Sequence, residues 1–136
     1  MPNPSPAVRF LNPPVMPPAA GYSHVAEVTG GRLIFVSGQV AVDRAGNLVG
    51  PGDIAAQARQ VFTNLKTALE AAGTDFAHVV KLTFYLVDIS KIALVRGIRD
   101  GFVDTQHPPA STAVEVRRLV REEFLIEVDA VAVVPV

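Results

Sequence analysis

Between Asp53 and Gly73, Ile54, Ala58, Val61, Phe62, Leu65, Leu69 and Ala72 recur at spacings of three and four. That period places them on one face of a helix. Asp53 is positioned to cap its first turn, and Gly73 to close it in a left-handed turn. A different pattern follows at residues 78–88, HVVKLTFYLVD. Val80, Leu82, Phe84 and Leu86 fall on one phase of a strand, Val79, Tyr85 and Val87 on the other. Such a strand is apolar on both faces. Further strands are expected at residues 23–28 (SHVAEV), 32–38 (RLIFVSG), 111–118 (STAVEVRR) and 123–135, with a short edge strand at 8–11. The pair Gly30-Gly31 predicts a hairpin joining the first two, and residues 43–47, DRAGN, a second turn. A second helix is expected from ISKIALVRGIRDGF at residues 89–102. Ser90 would cap it, Ile89 and Leu94 would form a hydrophobic staple, and Gly97 and Gly101 weaken its middle. The adjacent Arg117 and Arg118 are expected on opposite faces of their strand.

The order is β-β-α-β-α-β-β, an α+β arrangement with no internal repeat and no linker. Two helices cover one face of such a sheet. The apolar residues on the other phase then need a second cover, because an exposed apolar sheet face is unstable in water. Another copy of the chain is the simplest cover, so patterning alone predicts a homo-oligomer without fixing its symmetry.

Length and composition narrow the picture. A chain of 136 residues forms a single domain with a real core. Residues 1–7 are proline-rich and expected to fray, and residues 12–21, NPPVMPPAAG, can form only an ordered loop or a disordered arm. Charged residues are 18% of the chain, low for a monomer's surface, which again points to self-association. A net charge of −1 provides no field for a phosphate backbone, so nucleic acid is not an expected partner. There is no cysteine, which removes disulfides, thiolate nucleophiles and zinc–thiolate sites. With no signal-peptide pattern and no long apolar run, the chain reads as cytoplasmic and not membrane-bound.

In the last strand Glu127 and Asp129 share a face with Leu125, Val131 and Val133. Three readings are open: carboxylates paired at an interface, a carboxyl of raised pKa acting on water or a substrate proton, or simple exposure at an edge. Ser37 with Gly38 and Gln39 reads either as a strand-ending turn or as a polar rim for a ligand. Arg96 on the second helix either faces water or reaches into a cleft to hold a carboxylate through two parallel hydrogen bonds. Tyr22, next to Gly21 after the proline loop, either packs or lids a pocket. His24, His78 and His107 have no metal-site spacing, and no phosphate loop or nucleophile elbow is present; no metal and no cofactor are expected.

Six stretches in this order resemble the YjgF/RidA family, the reactive intermediate deaminases: GYS (21–23), LIFVSGQV (33–40), GDIAAQARQVFTNLKTALEAAG (52–73), VVKLTFYLVDIS (79–90), PPASTAVEVRRL (108–119) and IEVDAVA (126–132). The resemblance spans residues 9–134. It implies a chorismate-mutase-like fold, a mixed sheet with two helices on one face. It also implies a homotrimer whose sheets line a central barrel and whose ligand clefts lie between subunits. The implied reaction is hydrolysis of enamine and imine intermediates to a 2-oxoacid and ammonia. Carried over residue by residue, the resemblance gives Tyr22, Ser37 and Glu127 the family's loop tyrosine, serine and water-positioning glutamate. Ala113 stands at a frequent cysteine, Arg96 at an asparagine, and Ser111 at the arginine that clamps the substrate carboxylate.

A serine cannot replace a bidentate, charge-assisted clamp. Arg96 is the candidate compensation. The expected function is therefore hydrolysis of a small imine, enamine or related C–N metabolite, anionic in character, with Glu127 activating water. The alternative is a trimer that binds or senses such a metabolite without turnover. An RNA-directed activity, a label carried by some relatives, is disfavoured by the charge.

Overall fold

The computed structural model describes residues 7–135. The expected fraying of the N-terminal tail therefore falls, apart from Ala7, outside the described residues. The carbonyl of Ala7 accepts from the Thr29 amide at 2.9 Å.

Strands β1 (Val8–Leu11) and β2 (Val25–Val28) pair antiparallel as a small ribbon. The main sheet holds β3 (Arg32–Gln39), β4 (Val79–Leu86), β5 (Ala110–Glu115) and β6 (Ile126–Val134), in the order β3-β6-β4-β5. It is mixed: β4 and β5 run parallel, and the other pairs are antiparallel. The hairpin expected between residues 23–28 and 32–38 does not form. β2 pairs with β1, while β3 pairs with β6. Gly31 is instead required by crowding. Its φ is +95°, and a Cβ there would sit 2.6 Å from Val133 Cγ1.

Helix α1 (Ile54–Ala71) forms as its spacing predicts. Asp53 accepts from the Ala56 amide at 3.1 Å, and Gly73 adopts φ +84° just beyond the last turn. Helix α2 (Ile92–Arg99) starts later than expected. Asp88, not Ser90, is the capping residue. It accepts from the Ser90 amide and hydroxyl and caps a short 3-10 turn over Ile89–Lys91 that leads into α2. Arg117 and Arg118 lie beyond the end of β5, so the expectation that they split across its faces fails.

Both helices lie on one face of the main sheet. Under them Phe62 stacks against Phe102 and packs on Phe76 and Phe84, with centroids 5.2 to 6.1 Å apart. Leu82, Leu86, Ile126, Val128 and Ala132 complete a dry core. Gln57 is the one fully buried polar side chain of α1, and both its polar atoms are hydrogen-bonded. Its Nε2 donates to the carbonyls of Gly50 and Glu123, and its Oε1 accepts from the Leu125 amide at 2.9 Å. These bonds fix the chain just before it enters β6.

The opposite face is open. Leu33 is 53% exposed and Phe35 74%. Val114 is exposed at the sheet's other edge, on β5, where Thr112 accepts from the Lys81 ammonium. The uncovered apolar face expected from patterning is thus present in the isolated chain.

Candidate functional site

Residues 21–23 and 108–111 meet at the edge of the helix-covered face. The Ser23 hydroxyl donates to the Pro108 carbonyl at 2.6 Å, and the Ser23 amide to the Pro109 carbonyl at 3.1 Å. This pins the loop carrying Tyr22 against the start of β5. Prolines suit the junction, since they donate no backbone N–H and leave their carbonyls free to accept. Along β5, Ser111 is in register with Leu82 and Ala113 with Phe84, whose side chains are buried under the helices. Ser111 and Ala113 therefore face the helix side.

There they line a cavity of about 70 Å³ with Tyr22 and Phe84. Its other wall is α2, through Ile92, Arg96 and Arg99. The space suits a small polar group or a few waters rather than a large ring. Four residues singled out in the sequence, Tyr22, Arg96, Ser111 and Ala113, thus share one cavity. Three larger hollows lie elsewhere, of about 150 Å³ beside Asp88 and Leu125, about 530 Å³ beside His78 and His107, and about 620 Å³ beside Arg117 and Arg118. None is lined by Tyr22, Ser37, Arg96, Ser111, Ala113 or Glu127.

Glu127 and Ser37 lie elsewhere. Glu127 is in register with Tyr85 and Asp129 with Thr83, on the open face. The sheet itself separates them from the cavity. Ser37 and Gly38 form a bulge. Val36 pairs with Ala130 and Gln39 with Val128, so two residues oppose Asp129 alone. The bulge makes room for the acid. A Cβ on Gly38 would lie 2.1 Å from Glu127 Oε2. Ser37 is exposed beside it.

Burial raises the Glu127 carboxyl above the ordinary carboxylate range, and the nearby Asp129 charge adds to the shift. Asp129 accepts from the Tyr85 hydroxyl at 3.1 Å, and that bond holds the Tyr85 proton in place, raising its pKa. Of the three readings of the carboxylates, the first expected an arginine or backbone partner at an interface; the partner of Asp129 is instead the Tyr85 hydroxyl of the same chain. Glu127 has the raised pKa of the second. No group of three or more metal-ligating side chains occurs among the described residues, and no helix among them is long and apolar enough to cross a membrane.

Arg99 was not singled out in the sequence. It is 5% exposed, whereas Arg96 is an exposed side chain at the cavity's rim. A signal for it did exist. Ile92, Val95 and Arg99 follow the three-four spacing of a buried helix face, so Arg99 puts a charge on the apolar stripe.

The family model described as Endoribonuclease L-PSP matches residues 14–134. Protein DfrA of Myxococcus xanthus is 41% identical over 118 residues, covering 86% of this chain and 88% of that protein. The 2-iminobutanoate/2-iminopropanoate deaminase of Escherichia coli K12 is 40% identical over 119 residues, covering 85% and 91%. Among solved structures, YyfB of Yersinia pestis, a Rid-family protein of unknown function, aligns with a TM-score of 0.83 at 35% identity. That alignment covers 94% of this chain and 99% of the other.

Proposed function

The chain belongs to the YjgF/RidA family, which includes imine deaminases and L-PSP endoribonuclease-like proteins, and from that premise we propose that it hydrolyses a small anionic imine or enamine. The site would lie where chains of a homotrimer meet. The observation that carries this reading is the division of the site residues between the two sheet faces. Tyr22, Arg96 and Ser111 line a cavity on one side, and Glu127 stands on the other, the face that also carries exposed Leu33 and Phe35. A neighbouring copy seated on the open face would bring its cavity wall to this chain's Glu127 and exclude water from both.

The chemistry asks little of the protein. A protonated C=N carbon is already electrophilic. Glu127, as carboxylate, takes a proton from water as the oxygen bonds to that carbon. The carbinolamine then collapses. Nitrogen takes back the proton from Glu127, the C–N bond breaks to release ammonia, and as the carbonyl forms its hydroxyl proton passes to the Glu127 carboxylate, to be picked up by ammonia or solvent. A carboxyl raised by burial suits this double duty, because its proton affinity is closer to that of the groups it serves. The net charge of −1 supports a small metabolite over RNA as the substrate.

The test generates 2-iminobutanoate or 2-iminopropanoate in situ and follows 2-oxoacid release. Release above background that disappears in Glu127→Ala is expected. No release over a varied imine panel would defeat the reading. The second reading, a metabolite-binding trimer without turnover, is favoured by Ser111 standing where the resemblance places a clamp arginine. Ligand binding without turnover would support it.

A further inference from the structure

The helix-side cavity contains a cation that is buried yet only partly engaged. A guanidinium has five N–H groups. Arg99 commits Nε and one hydrogen of Nη2 to a single oxygen of Asp100, at 3.1 and 2.8 Å. The other three N–H groups have no acceptor among the described residues, although the side chain is 6% exposed. No fully buried polar side-chain atom among the described residues lacks a partner, so the unspent end of the guanidinium opens onto the cavity, where a ligand or water can accept from it.

The surroundings favour a close approach. Gly21 takes φ +78°, a conformation that favours glycine, and a Cβ there would lie 2.9 Å from Arg99 Nη2, so the loop runs close against the guanidinium. Arg96, three residues earlier, lines the same cavity. The facing groups on the strand and loop, Ser111, Ala113 and Tyr22, include no carboxylate and no further cation. Two guanidiniums and the Asp100 carboxylate leave one net positive charge, which matches a single negative charge on a ligand.

We infer that Arg99 is the anion anchor of this cavity, and that with Arg96 and the Ser111 hydroxyl it holds a small monocarboxylate. The inference deepens the proposed function by locating its substrate's acid group, and it rests on that reading only for the choice of probe. In this chain the holding charge comes from α2 rather than from the Pro-Ala junction, with Arg99 at the base and Arg96 at the rim.

The test is binding rather than turnover. The full-length protein is titrated by calorimetry with 2-oxobutanoate and with its neutral amide. The acid is expected to bind more tightly than the amide. Arg99→Gln should weaken the acid by about 10- to 100-fold, the range for a lost charge-assisted hydrogen-bond pair, and leave the amide unchanged. Arg99→Lys should recover part of the loss. If Arg99→Gln does not fold, Ser111→Asp supplies the reciprocal variant. An internal carboxylate beside the guanidinium should exclude the acid and spare the amide. The inference is overturned if the unaltered protein shows no preference for the acid. It is equally overturned if Arg99→Gln weakens acid and amide alike, as a merely structural arginine would, or if Ser111→Asp still binds the acid normally. Tight acid binding without turnover would sink the hydrolase and keep the anchor; turnover with an indifferent Arg99 would do the reverse.

Discussion

The two faces of the main sheet differ in what they bury and in what they leave unfinished. The helix side is closed by four phenylalanines, and its buried glutamine has every polar atom bonded. Only at its edge does a charge, Arg99, keep donors in reserve. The open side has apolar residues in water and two carboxyl-bearing side chains in register with β4. Cations and acid are thus divided by the thickness of one sheet. Within a single chain they cannot act on one small molecule. The contrast teaches that the core is built on one face alone, whereas the residues proposed for the chemistry are spread over both, and that a second copy is the natural way to bring them together.

The largest effect should come from the open face. Phe35→Glu leaves the helix-side core intact but should abolish assembly, and turnover with it, as read by light scattering after size exclusion. A trimer surviving this change would remove the open face as the contact. On the closed face, Phe62→Ala should cost about 3–5 kcal/mol in urea unfolding, because it empties the centre of the aromatic cluster. Gln57→Leu should cost less, about 1–3 kcal/mol. It leaves the Leu125 amide and the Gly50 and Glu123 carbonyls without their partner.

The smallest effect is a pH-dependent one at Glu127. Its folded carboxyl holds a proton more tightly than the unfolded one, so the associated stability is present at acid pH and lost as pH rises through the folded pKa. Glu127→Gln should therefore melt higher than the parent at pH 7, and the difference should vanish below about pH 4, where both forms are uncharged. A difference that grew in acid would mean the carboxylate is stabilised in the fold, contrary to its burial.

Local patterns in the sequence reveal most of this architecture. The spacing and caps of α1, the double apolar phase of β4 and the shared face of Glu127 and Asp129 all follow from side-chain period. Strand pairing is less visible. Gly30-Gly31 looks like a hairpin turn, yet β3 pairs with β6 about 100 residues further on, and local pattern does not encode so distant a partner. Gly31 answers instead to the crowding of Val133. Asp88 outcompetes Ser90 as the cap because its carboxylate accepts from both the Ser90 amide and hydroxyl. For the site, the sequence offered Arg96 as the spare cation, but the buried one is Arg99, because α2 turns Ile92 and Val95 inward and Arg99 with them. Whether Glu127 and Ser111 lie on one side or on opposite sides depends on the register of β4 with both β5 and β6, which no short motif contains.

The bulge at Ser37 and Gly38 has one more consequence. Since the acid's oxygen occupies the space a methyl group would fill, the width of that slot is set by one missing carbon. Gly38→Ala would drive the carboxylate outward, so position 38 is a dial on how far Glu127 reaches beyond its own chain.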